Sequence, residues 1–132
     1  MSKFKVGDRV WVKEHKKYGV IESIGITTKN GCEIPYYTLD SGFNYLDEDL
    51  NQTAQTMFEA LGYEKKLEDS SYIIYNYHNY EDGYITELRI DKEKNKYKLT
   101  NFTNNNQAFS AWGDKLLHLA IHQKMIELGW FG

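Results

Sequence analysis

A chain of 132 residues, 41% hydrophobic and 27% charged, has the make-up of a folded globular protein of one ordinary domain or two small ones, which excludes wholesale disorder. The longest unbroken apolar run, Tyr72 to Tyr75, is four residues, which excludes a membrane-spanning helix, and the net charge of −3 offers no broad field for phosphate. A lone cysteine, Cys32, cannot close an internal disulfide and fits a reducing, cytoplasmic setting.

The first residues, Met1 to Asp8, lack an apolar stretch and are not expected to act as a secretory signal. Eleven tyrosines and ten asparagines against one proline are what an AT-rich gene encodes, which points to a low-GC bacterium or one of its phages.

Residues 1–50 read as short strands between turns. Val10 and Val12 alternate with Arg9, Trp11 and Lys13, the period of a half-buried strand. A basic turn leads into Tyr18–Ile24, and Asn30-Gly31 predicts a two-residue hairpin loop joining Ile24–Thr27 to Cys32–Leu39. Asp40-Ser41-Gly42 turns the chain into Phe43–Leu46, and Asp47-Glu48-Asp49-Leu50 ends the segment. Four or five short strands in such a span predict a small bent barrel.

The pattern Lys5-Val6-Gly7-Asp8-Arg9-Val10-Trp11-Val12, Tyr18-Gly19-Val20-Ile21 and Leu39-Asp40-Ser41-Gly42, closing on Asp47-Glu48-Asp49-Leu50, resembles the SH3-like barrels of the KOW and Tudor type. The resemblance implies a module that binds peptides, modified side chains or nucleic acid rather than an enzyme.

From residue 51 the period changes. Ala54, Met57, Phe58 and Leu61 share one helix face, with Thr53 as N-cap and Gly62 as the stop. Ser71–Tyr80 and Tyr84–Ile90 read as a hairpin about Asp82-Gly83, with Tyr77 expected opposite Leu88 and Tyr75 opposite Ile90. Ile73, Tyr75, Tyr77, Leu88 and Ile90 form the predicted core face. Lys96–Phe102 is the third strand, with Tyr97 and Leu99 pointing inward. Thr103–Gln107 is the candidate mobile loop. Asp114 caps a last helix that runs to about Leu128 and stops at Gly129. The expected fold class is therefore α+β: an SH3-like barrel over 1–50, then an α-β-β-β-α unit over 51–132 with a three-stranded antiparallel sheet.

Two segments of this second part, Thr53-Ala54-Gln55-Thr56-Met57-Phe58-Glu59-Ala60-Leu61-Gly62-Tyr63-Glu64-Lys65 and Ala120-Ile121-His122-Gln123-Lys124-Met125-Ile126-Glu127-Leu128-Gly129-Trp130, resemble small uncharacterised proteins of phages and prophages of low-GC Gram-positive bacteria. That resemblance implies a setting, the cytoplasm of a bacterial host. It also implies a role, binding and inhibition of a host complex, possessed by many host-takeover and anti-defence factors. The α-β-β-β-α order is also that of double-stranded-RNA-binding domains. The lysine-rich start of that family's second helix is matched here only by Ser110-Ala111-Trp112-Gly113-Asp114-Lys115.

No catalytic pattern emerges. His118 and His122 are spaced for one helix face, but no third ligand accompanies them, so no metal site is expected. Cys32 has no base beside it, and neither GxGxxG nor a P-loop occurs, so no enzyme class and no cofactor is implied. The leading expectation is a non-enzymatic binder of a host protein. Its partner-binding residues are expected to be Trp11, Tyr45, Tyr72, Ile74, His78 and Tyr80, with Asp47-Glu48-Asp49 and Glu81-Asp82 as steering charge. The alternative is a nucleic-acid accessory module using Lys3, Lys5, Arg9, Lys13, Lys16 and Lys17, against which residues 1–50 sum to −1 and residues 51–132 to −2. Leu116, Leu119 and Ile126 lie off the core stripe of the last helix, where they would pack against the barrel or Trp112 and Trp130, or form a homodimer or partner surface.

Overall fold

The computed structural model describes residues 2–103, 105 and 107–131. The chain divides into two compact units, Met1–Thr53 and Ala54–Gly132. The expected α+β class is overturned: strands make up 49% of the chain and helices 18%, in two sheets of five antiparallel strands each.

In the first unit the strands are β1 (Arg9–Val12), β2 (Lys17–Lys29), β3 (Cys32–Leu39), β4 (Asn44–Leu46) and β5 (Leu50–Gln52), with a 3₁₀ turn at Asp47–Asp49. Their order is β4-β3-β2-β1-β5. The expected small barrel is replaced by a sheet whose two edges, β4 and β5, are three residues long. Its longest element is the β2–β3 hairpin, closed by Asn30 and Gly31 at φ 53° and 78° with Lys29 opposite Cys32. Val10, Val12, Ile21, Leu39 and Leu50 fill the core with Phe4, Tyr37 and Tyr45. The Tyr37 hydroxyl accepts from the Lys3 amide at 2.9 Å and donates to Asp47 Oδ1 at 2.5 Å, tying the N-terminal segment to the 3₁₀ turn.

The second unit comprises α1 (Ala54–Ala60), β6 (Glu64–Glu68), β7 (Tyr72–Asn79), β8 (Tyr84–Asp91), β9 (Lys96–Thr103), β10 (Ala108–Ser110) and α2 (Lys115–Glu127). Its sheet runs β10-β9-β8-β7-β6, two strands more than the three expected. Neither added strand has an apolar alternation of its own: every residue of β6 and β10 is exposed. They form because the edges of β7 and β9 template them.

The β7–β8 register differs from expectation by two residues, with Tyr75 opposite Leu88 and Ile73 opposite Ile90. Asn79 explains the shift. Its side chain accepts from the Asp82 amide and its carbonyl accepts from the Gly83 amide, closing a four-residue loop in place of a two-residue one. An even shift keeps each side chain on its face. Ile73, Tyr75, Leu88 and Ile90 therefore still face the helices, where Phe58 of α1 stacks on Tyr75 with centroids 4.2 Å apart and Leu117, Ala120 and Ile121 of α2 complete the core. Both helices end alike. Gly62 and Gly129 take positive φ, and the amides of Tyr63 and Trp130 reach back to the carbonyls of Phe58 and Met125. Of the expected mobile loop, Asn104 and Asn106 lie outside the described residues.

Candidate functional site

The second sheet pairs strands of unequal length. β9 has eight residues and β10 three, so β10 covers only Thr100 to Phe102. The chain then leaves the sheet because Asp114, four residues beyond Ser110, must cap α2, where its Oδ1 accepts from the Leu117 amide at 2.8 Å. Gly113 crosses so close to Leu99 that a Cβ there would lie 3.4 Å from its Cδ1. Lys96–Leu99 is left as an open strand edge.

Beside this edge lies a groove of about 450 Å³. Tyr97, Lys98 and Leu99 line it from β9, Ser110 and Gly113 from the departing chain, and His118 and Ile121 from α2. Trp112, flanked in the chain by the lining residues Ala111 and Gly113, is 95% exposed. Tyr97, expected inward, does sit on the helix side opposite Ile90, yet it is 42% exposed because nothing in β10 extends far enough to cover it.

The electrostatics of the two sheet edges differ. β6 neutralises itself through Lys65–Glu68 at 2.8 Å and Lys66–Glu64 at 3.0 Å. The Lys65 ammonium, the largest influence on it, holds the Glu68 carboxyl below its ordinary range. On β9, Lys98 lies opposite Arg89, and neither Lys96 nor Lys98 makes a salt bridge among the described residues. Asp91, opposite Lys96, is occupied by the amides of Glu93 and Lys94. The outer face of this edge thus carries two lysines without a salt bridge among the described residues, whereas Arg89 is paired with Glu87 at 3.2 Å.

The expected partner-binding residues scatter. Trp11 is buried at 4% exposure with its ring edge on Tyr18, so it is no surface anchor. Tyr45, at 8%, belongs to the core and forms one wall of a depression of about 320 Å³ with Tyr36, Leu46 and Asp49. Tyr72 and Ile74 share the outer face of β7, where Arg89 stands 5.8 Å from the Tyr72 ring. His78 lies on that face too and stacks on Tyr80, which sits in the turn rather than the strand and is 88% exposed.

The six basic residues of the alternative are all exposed, but several are engaged locally. Arg9 lies over Tyr18 at 4.2 Å, Lys3 over Phe4, and Lys13 donates to the Glu48 carbonyl among the carboxylates of the 3₁₀ turn. His118 and His122 stack on the exposed side of α2, and among the described residues no group of three metal-ligating side chains occurs. Cys32 is an exposed thiol at the start of β3. Leu116 and Leu119 are 57% and 48% exposed, so the expected packing of this helix face on Trp112 is absent.

Periodicity does not pick out Trp112, Tyr97 or the open edge. The available signal is Lys96 and Lys98 alternating on a strand, a pattern typical of protected sheet edges. No family model, no curated protein and no solved structure matches this chain.

Proposed function

We propose that this protein is a non-enzymatic binding protein that acts by occupying a protein of a bacterial host, as phage-encoded inhibitors of host or defence complexes do. The observation that carries the reading is Trp112, 95% exposed beside a groove walled by an open strand edge. An indole held in solvent contributes nothing to the fold, whereas tryptophan is the residue most enriched at the energetic centres of interfaces. Tyr80, at 88% exposure, adds a second such ring on the same unit. The phage resemblance of residues 53–65 and 120–130 supplies the setting, a host cytoplasm. No helix among the described residues is long and apolar enough to cross a membrane.

The test is capture from a low-GC Gram-positive lysate with the tagged full chain, with and without nuclease, in parallel with Trp112→Ala. The expected result is a stoichiometric host protein that survives nuclease and is lost with Trp112→Ala. Recovery of nucleic acid alone, abolished by nuclease, would overturn the reading in favour of Lys3, Lys5, Arg9, Lys13, Lys16 and Lys17. The exposure of Leu116 and Leu119 favours a second occupant for α2, another copy of this chain, which sedimentation of wild type against Leu119→Glu resolves.

A further inference from the structure

We infer that the groove between β9 and α2 receives an extended acidic segment of a partner protein, added as a strand to the open edge of β9. The inference rests on the binding role proposed above and names the chemistry of the partner.

Backbone direction comes first. The Thr103 amide donates to the Gln107 carbonyl at 3.0 Å, on the β10 side of β9. Hydrogen-bonding groups alternate along a strand, so Asn101, Leu99 and Tyr97 present N–H and C=O to that same side. Asn101 is opposite Phe109 of β10, but β10 ends at Ser110 opposite Thr100. Tyr97 and Leu99 therefore offer two donors and two acceptors along an edge of about 13 Å. A peptide strand complements both kinds of group, whereas a phosphate backbone supplies only acceptors.

Side chains come second. A strand laid on this edge would direct alternate residues toward the helix side, into the groove between Leu99 and Tyr97 on one wall and His118 and Ile121 on the other. Trp112, 95% exposed between the lining residues Ala111 and Gly113, is free to fold over them when a strand is bound. The residues between would meet Lys96 and Lys98 on the opposite face, two ammonium groups with no salt bridge among the described residues, whereas Arg89 opposite Lys98 is already paired with Glu87 at 3.2 Å. Lysines along an edge repel basic strands and must be desolvated without a counter-charge against neutral ones. They admit one whose outward residues are carboxylates. The opposite edge of the sheet, β6, lacks this selectivity because its lysines are already paired with Glu64 and Glu68.

The test uses the full chain and a short capped peptide alternating glutamate with valine, compared with its lysine-for-glutamate counterpart and a backbone N-methylated version. Calorimetry reads affinity, and amide exchange reads Tyr97 and Leu99. The acidic peptide should bind at least ~10-fold more tightly than the lysine peptide. It should protect the Tyr97 and Leu99 amides, and N-methylation should abolish it. Lys96→Glu combined with Lys98→Glu, both at exposed positions, should invert the preference. Equal affinity for both peptides, no binding, or binding without protection of the two amides would overturn the inference, as would a single-stranded oligonucleotide that displaces the peptide. Capture of a host protein in a Trp112-dependent manner, with no peptide binding, would remove this docking mode and leave the binding role standing. Peptide binding with amide protection but no captured host protein would do the reverse.

Discussion

Glu127, the last residue of α2, accepts a hydrogen bond through Oε2 from the amide of Ala54, the first residue of α1, at 2.7 Å. A carboxylate from the far end of the unit thus satisfies a first-turn amide of α1. The same oxygen accepts from Gln123 Nε2 at 3.0 Å, and Lys124 Nζ lies 4.0 Å from Oε1. With the Glu127 side chain 2% exposed, these bonds lie out of water, and the anion sits at the positive end of a helix.

Glu127→Ala should therefore lower the stability of the second unit by about 2–3 kcal/mol, since it orphans the Ala54 amide and removes the counter-ion of Lys124. Glu127→Gln keeps an acceptor and should cost less than half as much. Urea unfolding followed by amide exchange in α1 checks both, and equal behaviour of the two variants would discount the cap.

Two buried tyrosines make opposite predictions for the same chemical change. The Tyr37 hydroxyl is bonded to the Lys3 amide, the Phe4 amide and Asp47. Tyr37→Phe should destabilise the first unit by about 1–3 kcal/mol and loosen residues 2–5. The Tyr75 hydroxyl is buried with no hydrogen-bond partner among the described residues. Tyr75→Phe should leave stability unchanged or raise it by about 1 kcal/mol, because it removes an unsatisfied polar group while the ring keeps its stack on Phe58. Thermal unfolding of the two variants in parallel separates these outcomes.

What the sequence makes legible is what single residues or a repeated spacing encode. Val10 and Val12, Ile73 and Tyr75, the Asn30-Gly31 loop, the Asp114 cap and the glycine stops at 62 and 129 all act through neighbours within a turn or a strand. The missing strands have no such code. Glu64–Glu68 is charged throughout and extended only because β7 offers it an edge. The β7–β8 register turned on an Asn79 side-chain bond that lengthens the loop, which composition does not reveal. The candidate groove is less legible still. It exists because β9 outruns β10, a difference of length between two strands, and Trp112 is exposed because the chain departs there toward the cap of α2.

Alkaline pH should unfold the protein through its phenols. Burial, then the Asp114 charge, pushes Tyr63 up to about 12, and burial also raises Tyr75 and Tyr37. A raised phenol pKa stabilises the fold fully below the ordinary value near 10, and that stability is lost as pH climbs from there toward the folded value, because the unfolded chain ionises first. For Tyr63 the loss amounts to about 2–3 kcal/mol by pH ~12. Lys124 works the other way. Burial lowers its pKa, with Glu127 and Glu68 partly offsetting, so its ammonium is a cost to the fold at neutral pH that is relieved as pH rises toward 10.5. Three phenols outweigh one amine. Urea midpoints should fall steeply above pH ~10, and Tyr63→Phe should flatten that fall, whereas Lys124→Met should act below pH ~10.5, removing the rise that the buried ammonium contributes there and leaving the fall at higher pH unchanged.

A final prediction concerns Gly25 of β2, which lies opposite Tyr36 of β3. The Tyr36 ring rests directly over the glycine: a Cβ at position 25 would come within 2.3 Å of its Cζ and 2.4 Å of its hydroxyl oxygen. An aromatic ring laid across a strand glycine covers the backbone that the missing side chain leaves bare. The obstruction is the far end of a side chain, so Gly25→Ala should displace the ring rather than break the hairpin, at a cost of about 1 kcal/mol. Because Tyr36 also lines the depression shared with Tyr45, Leu46 and Asp49, the displaced ring should change the shape of that depression. Tyr36→Ala removes the obstacle, so the cost of Gly25→Ala should vanish in its background. A double-mutant cycle on unfolding free energies measures this coupling. Additive costs would show that the two residues do not depend on each other.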